Sequence, residues 1–177
     1  MMKNMKNYIQ NLTFTALMAA ILCIAGPIVI PIGMVPMSFA NMAIYLTIIL
    51  LDKKRATISV AIYLLIGFVG LPVFAGFTGG AGKLLGPTGG YLIGYLVLSL
   101  IAGTILEKVE KSKLLALATG TLGLYAVGTI WLMLQSNLTF ITALSVGVLP
   151  FIIFDVIKII AAIALGNSIK KRIQAII

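Results

Sequence analysis

Four stretches of this chain contain no charged residue: Asn7 to Leu51, Ala56 to Gly82, Leu84 to Leu106 and Leu114 to Phe154. A soluble domain of 177 residues has no core large enough to bury all of them. A bilayer does, because a span needs about 20 apolar residues to cross roughly 30 Å of hydrocarbon. The runs, with the tail after Ile159, hold six spans and little else, which excludes an extramembrane catalytic domain. Only 10% of the residues are charged, against about a quarter in an average soluble domain, and their placement carries the topology.

The 13 basic residues punctuate the apolar runs and form no patch interleaved with aromatics, so the net charge of +9 does not indicate a nucleic-acid partner. Lys3 and Lys6 precede the first run, Lys53, Lys54 and Arg55 follow the second span, Lys108, Lys111 and Lys113 follow the fourth, and Lys170, Lys171 and Arg172 end the chain. With six spans all of these fall on one side, and the positive-inside rule makes that side cytoplasmic, together with both termini. Asp52, Glu107 and Glu110 sit among these bases; Lys83 stands alone on the outer side. Five or seven spans would break the pattern.

The expected spans are Leu12–Ala25, Ser38–Leu51, Thr57–Leu71, Gly89–Leu106, Leu114–Leu134 and Phe140–Asn167, the last bent by Pro150. They make residues 1–177 a single all-α, six-helix transmembrane domain. Lys3 and Lys6 before an apolar segment resemble a signal peptide, but the segment continues apolar and further spans follow, so it reads as a retained helix. Pro27, Pro31 and Pro36 cannot continue a helix and predict an extended or half-helical outer loop. The glycine-rich segment from Pro72 to Gly90 must fold over protein or line a watery cavity, since lipid cannot satisfy its backbone. It is not a Walker loop, because Leu84 follows Gly82-Lys83 and Phe77 stands where the first glycine belongs. With one cysteine, Cys23, and no histidine, the chain offers no zinc or haem site and no disulfide.

Asp155 and Lys158 are the ionisable pair inside an apolar run, and i, i+3 spacing puts them on one helix face. A charge at mid-bilayer costs about 2.5–3.5 kcal/mol on insertion scales, so both should face the bundle interior or a cavity. One acceptor beside one donor suits a polar, uncharged ligand that presents both N–H and C=O. The same pair could transfer protons, as the relay of a proton-coupled carrier, or merely staple helices in a structural subunit. Lys83 could meet an anionic ligand group, or simply be solvated. Ala16 and Ala20 form a small-residue ridge on the first span, and Gly86, Gly90 and Gly94 form another; such ridges serve packing within the chain or docking to another membrane subunit. Tyr8, Tyr95 and Trp131 are expected in interfacial belts, while Tyr91, at the junction of the glycine-rich loop and the fourth span, is expected in a pocket.

Gly70-Leu-Pro-Val-Phe-Ala-Gly76, the spaced glycines through Gly82, Leu85-Gly-Pro-Thr-Gly-Gly-Tyr-Leu-Ile-Gly-Tyr95 and the later Asp155-Val-Ile-Lys158 resemble the signature of the BioY family, the biotin-binding S components of energy-coupling factor transporters. The likeness covers nearly the whole chain. It implies a biotin site near the outer face with no cofactor in this chain, Asp155 accepting from a ureido N–H and Lys158 donating to the ureido oxygen. Gly79, Gly80, Gly82 and Gly89, with Tyr91, would close over the ring and valerate tail. Asn41, after Ala40, stands near the position where many members carry glutamine, and Lys83 and Phe77 stand where small residues are common. The partners implied are a transmembrane coupling protein, docked through Ala16 and Ala20, and two cytoplasmic ATPases, through which alone ATP would act. A different vitamin on the same scaffold is the neighbouring alternative.

Overall fold

The computed structural model describes residues 2–30, 35–109 and 111–176. They are mostly helical, in the order α1 (Met2–Ala25), β1 (Val29–Ile30), β2 (Met37–Ser38), α2 (Ala40–Leu50), α3 (Lys53–Phe68), α4 (Ala81–Leu85), α5 (Gly89–Lys108), α6 (Lys113–Ser136), α7 (Phe140–Gly147) and α8 (Leu149–Ile176). The all-α expectation needs one correction, because β1 and β2 pair antiparallel, Val29 with Ser38 and Ile30 with Met37. Pro27 follows the end of α1 and Pro36 precedes β2, and the paired residues on the two strands satisfy their backbone against each other. Positions 31–34, including Pro31, and Glu110 lie outside the described residues.

Among the described residues, four helices are long and apolar enough to cross a membrane: the Tyr8–Ala25 part of α1, α5, α6 and the Leu149–Arg172 part of α8. α2 is apolar but only 11 residues long, and α3 has 16 residues of which the first three are basic. Leucines and isoleucines line the outside of the bundle; Ile24, Leu65, Leu122, Leu134 and Ile153 are 62–70% exposed. So large an apolar exterior is stable only against lipid.

Local chemistry sets several boundaries. Asp52 caps α3, accepting the Arg55 amide at 2.7 Å. Asn137 ends α6 in the left-handed region at φ 51°, and Thr139 caps α7. The expected bend at Pro150 is a full break: α7 stops at Gly147, and Pro150 lies in the first turn of α8, where its missing N–H costs nothing. α8 then continues well past the expected Asn167.

The core joins Leu22 of α1, Ile44 and Tyr45 of α2, Val60 of α3, Leu98 of α5 and Leu124 of α6. α5 and α6 pack through their glycines: a Cβ on Gly90 would lie 2.1 Å from that of Trp131, and one on Gly94 2.7 Å from a Leu124 methyl. That ridge therefore serves packing within the chain. Ala16 and Ala20 differ, since both are exposed on α1.

The segment between α3 and α5 is anchored rather than floppy. Phe74 is fully buried, packs edge-on against Tyr63 at 5.5 Å and pairs with Thr78. The Gly76 amide donates to the Pro27 carbonyl at 3.0 Å, which ties this loop to the hairpin at one end of the bundle. At the opposite end, Lys53 meets Glu107 at 3.4 Å and Lys113 reaches Asn167, so the basic clusters gather away from the hairpin.

Candidate functional site

At the hairpin end, the first turn of α2, the middle of α6, the start of α5 and the early turns of α8 converge beneath Val35–Ser38 on a small cavity. Asp155 and Lys158 enter it from one face of α8, 3% and 8% exposed, with Nζ 3.3 Å from Oδ1. Buried charges need both a partner and hydrogen bonds. Lys158 finds its second acceptor in the Ser38 carbonyl at 2.9 Å, and the Ser38 hydroxyl in turn donates to the Gly26 carbonyl and accepts the Ala40 amide. The chain leaving α1 is thereby locked to α8. Among the described residues, the third N–H of the Lys158 ammonium has no protein acceptor.

Asp155 is held on its other sides. The Asn41 amide donates at 3.3 Å to both carboxylate oxygens, and the Tyr125 hydroxyl donates to Oδ2 at 2.6 Å. Tyr91 hydrogen-bonds through its hydroxyl to the Gly147 carbonyl at 3.0 Å, laying its ring against Gly128. Tyr95, Leu124, Phe151 and Met37 complete the wall.

Four residues expected at a site from the sequence, Asp155, Lys158, Asn41 and Tyr91, are thus brought together. Gly79, Gly80, Gly82, Gly89 and Lys83 do not line this cavity; they lie in the α3–α5 loop, in α4 and at the start of α5. There the glycines serve the loop itself: Gly80 has φ +90°, and a Cβ on Gly89 would fall 1.7 Å from the Leu84 carbonyl oxygen. Lys83 is half-buried with no charged partner among the described residues.

Two aromatics depart from the belt expectation. Tyr95 is buried against the cavity, and Trp131 donates its indole N–H to the Gly86 carbonyl at 2.9 Å, pinning the entrance of α5 to α6. Tyr8 is 69% exposed near the start of α1. Tyr125 escaped sequence reasoning altogether. One signal was available: it lies midway along α6, too far from either end for a belt tyrosine.

The cavity encloses about 50 Å³, well below the roughly 300–1,000 Å³ of common small-molecule pockets, so a ring-sized guest must spread its walls. Its polar inventory is one carboxylate, one ammonium, one amide, one serine and three phenols on an apolar lining. Such a set can grip a neutral group that both donates and accepts. No group of three or more histidine, cysteine or acidic side chains that could hold a metal occurs among the described residues.

The chain is similar to proteins of one kind throughout. A family model described as "BioY family" matches residues 1–175. The biotin transporter BioY of Thermotoga maritima is 39% identical over 165 residues, covering 92% of this chain and 96% of that protein. The biotin transporter BioY2 of Lactococcus lactis is 34% identical over 176 residues, covering 98% and 96%. Among solved structures, the crystal structure of an S-component for biotin from an ECF-type ABC transporter superposes with a TM-score of 0.87 at 35% identity, covering 94% of this chain and 93% of that one.

Proposed function

The chain belongs to the BioY family, and from that premise we propose that it captures biotin at the cavity beside Asp155 and delivers it inward as the S component of an energy-coupling factor transporter. It is a multi-pass membrane transport subunit and not an enzyme. The observation that carries the ligand reading is the buried pair itself: Asp155 accepts from a ureido N–H, while the unshared N–H of Lys158 donates to the ureido oxygen. Asn41 supports the same polar head, and Tyr91 closes on the bicyclic ring. The segment from Gly79 and Gly80 through Gly82 of α4 to Gly89 at the start of α5 folds over the valerate tail as the walls spread, with Lys83 available to its carboxylate.

In the same reading, α2 and α3 complete a six-span bundle in the cell membrane, with both termini and the basic clusters cytoplasmic. A transmembrane coupling protein docks on the exposed Ala16–Ala20 ridge, and two cytoplasmic ATPases supply the energy; this chain needs no cofactor of its own.

Titrating the purified protein in detergent with biotin, by heat or by fluorescence of the single tryptophan, Trp131, tests the assignment. The parent should bind tightly, and Asp155→Asn and Lys158→Ala should each lose at least about 2 kcal/mol, as expected when one partner of a buried charged contact is removed. Unchanged affinity in both variants sinks the site. No saturable biotin binding sinks the ligand reading and leaves a helix staple, while uptake that follows the proton gradient without ATPases would indicate a proton-coupled carrier.

A further inference from the structure

Asp155 has about four lone-pair directions, and all are engaged within the protein. The contacts differ in quality. The Asn41 amide is bifurcated, at 3.3 Å from each oxygen, and Lys158 is also at 3.3 Å while its stronger bond goes to the Ser38 carbonyl at 2.9 Å. Tyr125, at 2.6 Å, lies in the range of a charge-assisted O–H···O⁻ bond, about 2.5–2.7 Å. A ligand N–H that is to reach this carboxylate must take a direction from one donor already there. The long Asn41 contact yields at least cost; the short phenol bond stays.

We propose that Tyr125 is the positioning residue of the site: its hydroxyl, reaching from α6 to α8, fixes the rotation of the Asp155 carboxylate so that one acceptor edge is presented to a ligand N–H, and thereby sets selectivity for guests that carry that donor. The proposal rests on the biotin reading above. Tyr125 belongs to α6, whereas Asp155 and Lys158 belong to α8 and Asn41 to α2, so the hydroxyl also makes the carboxylate direction depend on how α6 and α8 pack.

The test compares biotin with a biotin methylated at one ureido nitrogen, on the full chain in detergent. Tyr125→Phe keeps the ring and removes the donor. It should weaken biotin by about tenfold or more, as expected for a hydrogen bond to a charged group, and shrink the preference of the parent for biotin over the methylated ligand. In an Asp155→Asn background the same change should add almost nothing, because Tyr125 acts through Asp155. A Tyr125→Phe protein that keeps the preference, or that weakens both ligands equally in either background, overturns the proposal while leaving the biotin reading intact; a parent that fails to bind biotin defeats that reading instead. If Tyr125→Phe does not fold, isotope-labelled tyrosine placed at position 125 of the parent gives an infrared readout. Its phenol C–O band should hold through biotin binding, and a shift to that of a free phenol overturns the proposal.

Discussion

At 3% and 8% exposure Asp155 and Lys158 have both given up water, and each makes the other tolerable. Lys158→Met should therefore leave an uncompensated buried carboxylate and cost about 3–5 kcal/mol, read as a lower thermal unfolding midpoint in detergent. The double variant Asp155→Asn with Lys158→Met should regain most of that stability and still fail to bind biotin. Regained binding would show that the pair holds helices and nothing else. These two residues were legible in the sequence because a charge inside an apolar run has no cheap alternative explanation. Asn41 was legible only through a resemblance. Tyr125 was not legible, because tyrosine contrasts little with its apolar neighbours and its role arises from a contact between residues 30 positions apart.

At the scale of elements, two small-residue ridges that look alike in sequence have opposite fates. The Gly90–Gly94 ridge is filled by Trp131 and Leu124, whereas Ala16 and Ala20 face outward. Gly90→Ala should force α5 and α6 apart and cost about 1–3 kcal/mol by overpacking. Ala16→Leu should change stability by no more than about 0.5 kcal/mol, which the same thermal melt checks. The loop between α3 and α5 hangs on one buried ring, so Phe74→Ala should destabilise by about 3–5 kcal/mol. The stop of α1 was legible from Pro27, whereas the start of α3, capped by Asp52, was expected at Thr57 and the break before Pro150 was expected as a bend. The β1–β2 pairing and α4 were not, since a two-residue strand or a five-residue helix has no periodicity to detect.

For the whole molecule, the exposed apolar exterior and the separation of the cavity from the basic end give the bundle two unlike ends. After replacement of Cys23, a cysteine at Lys54 should react with an impermeant thiol reagent only from the cytoplasmic side, and one at the exposed Phe77 only from outside. The reverse pattern would overturn the orientation, and labelling of both from one side would overturn α3 as a span. Ala16→Leu with Ala20→Leu should bind biotin as the parent does yet lose uptake in cells that contain the coupling module, which separates docking from capture. Composition and the spacing of charges were enough to determine that this chain belongs in lipid and which acidic residue is out of place, because the cost of a charge in hydrocarbon is local and one-dimensional. Which side chains surround that acid, how small the cavity is and which glycine ridge stays open depended on tertiary packing. Those properties come from contacts between helices far apart in the chain, and a carboxylate has no direction until its donors are in place.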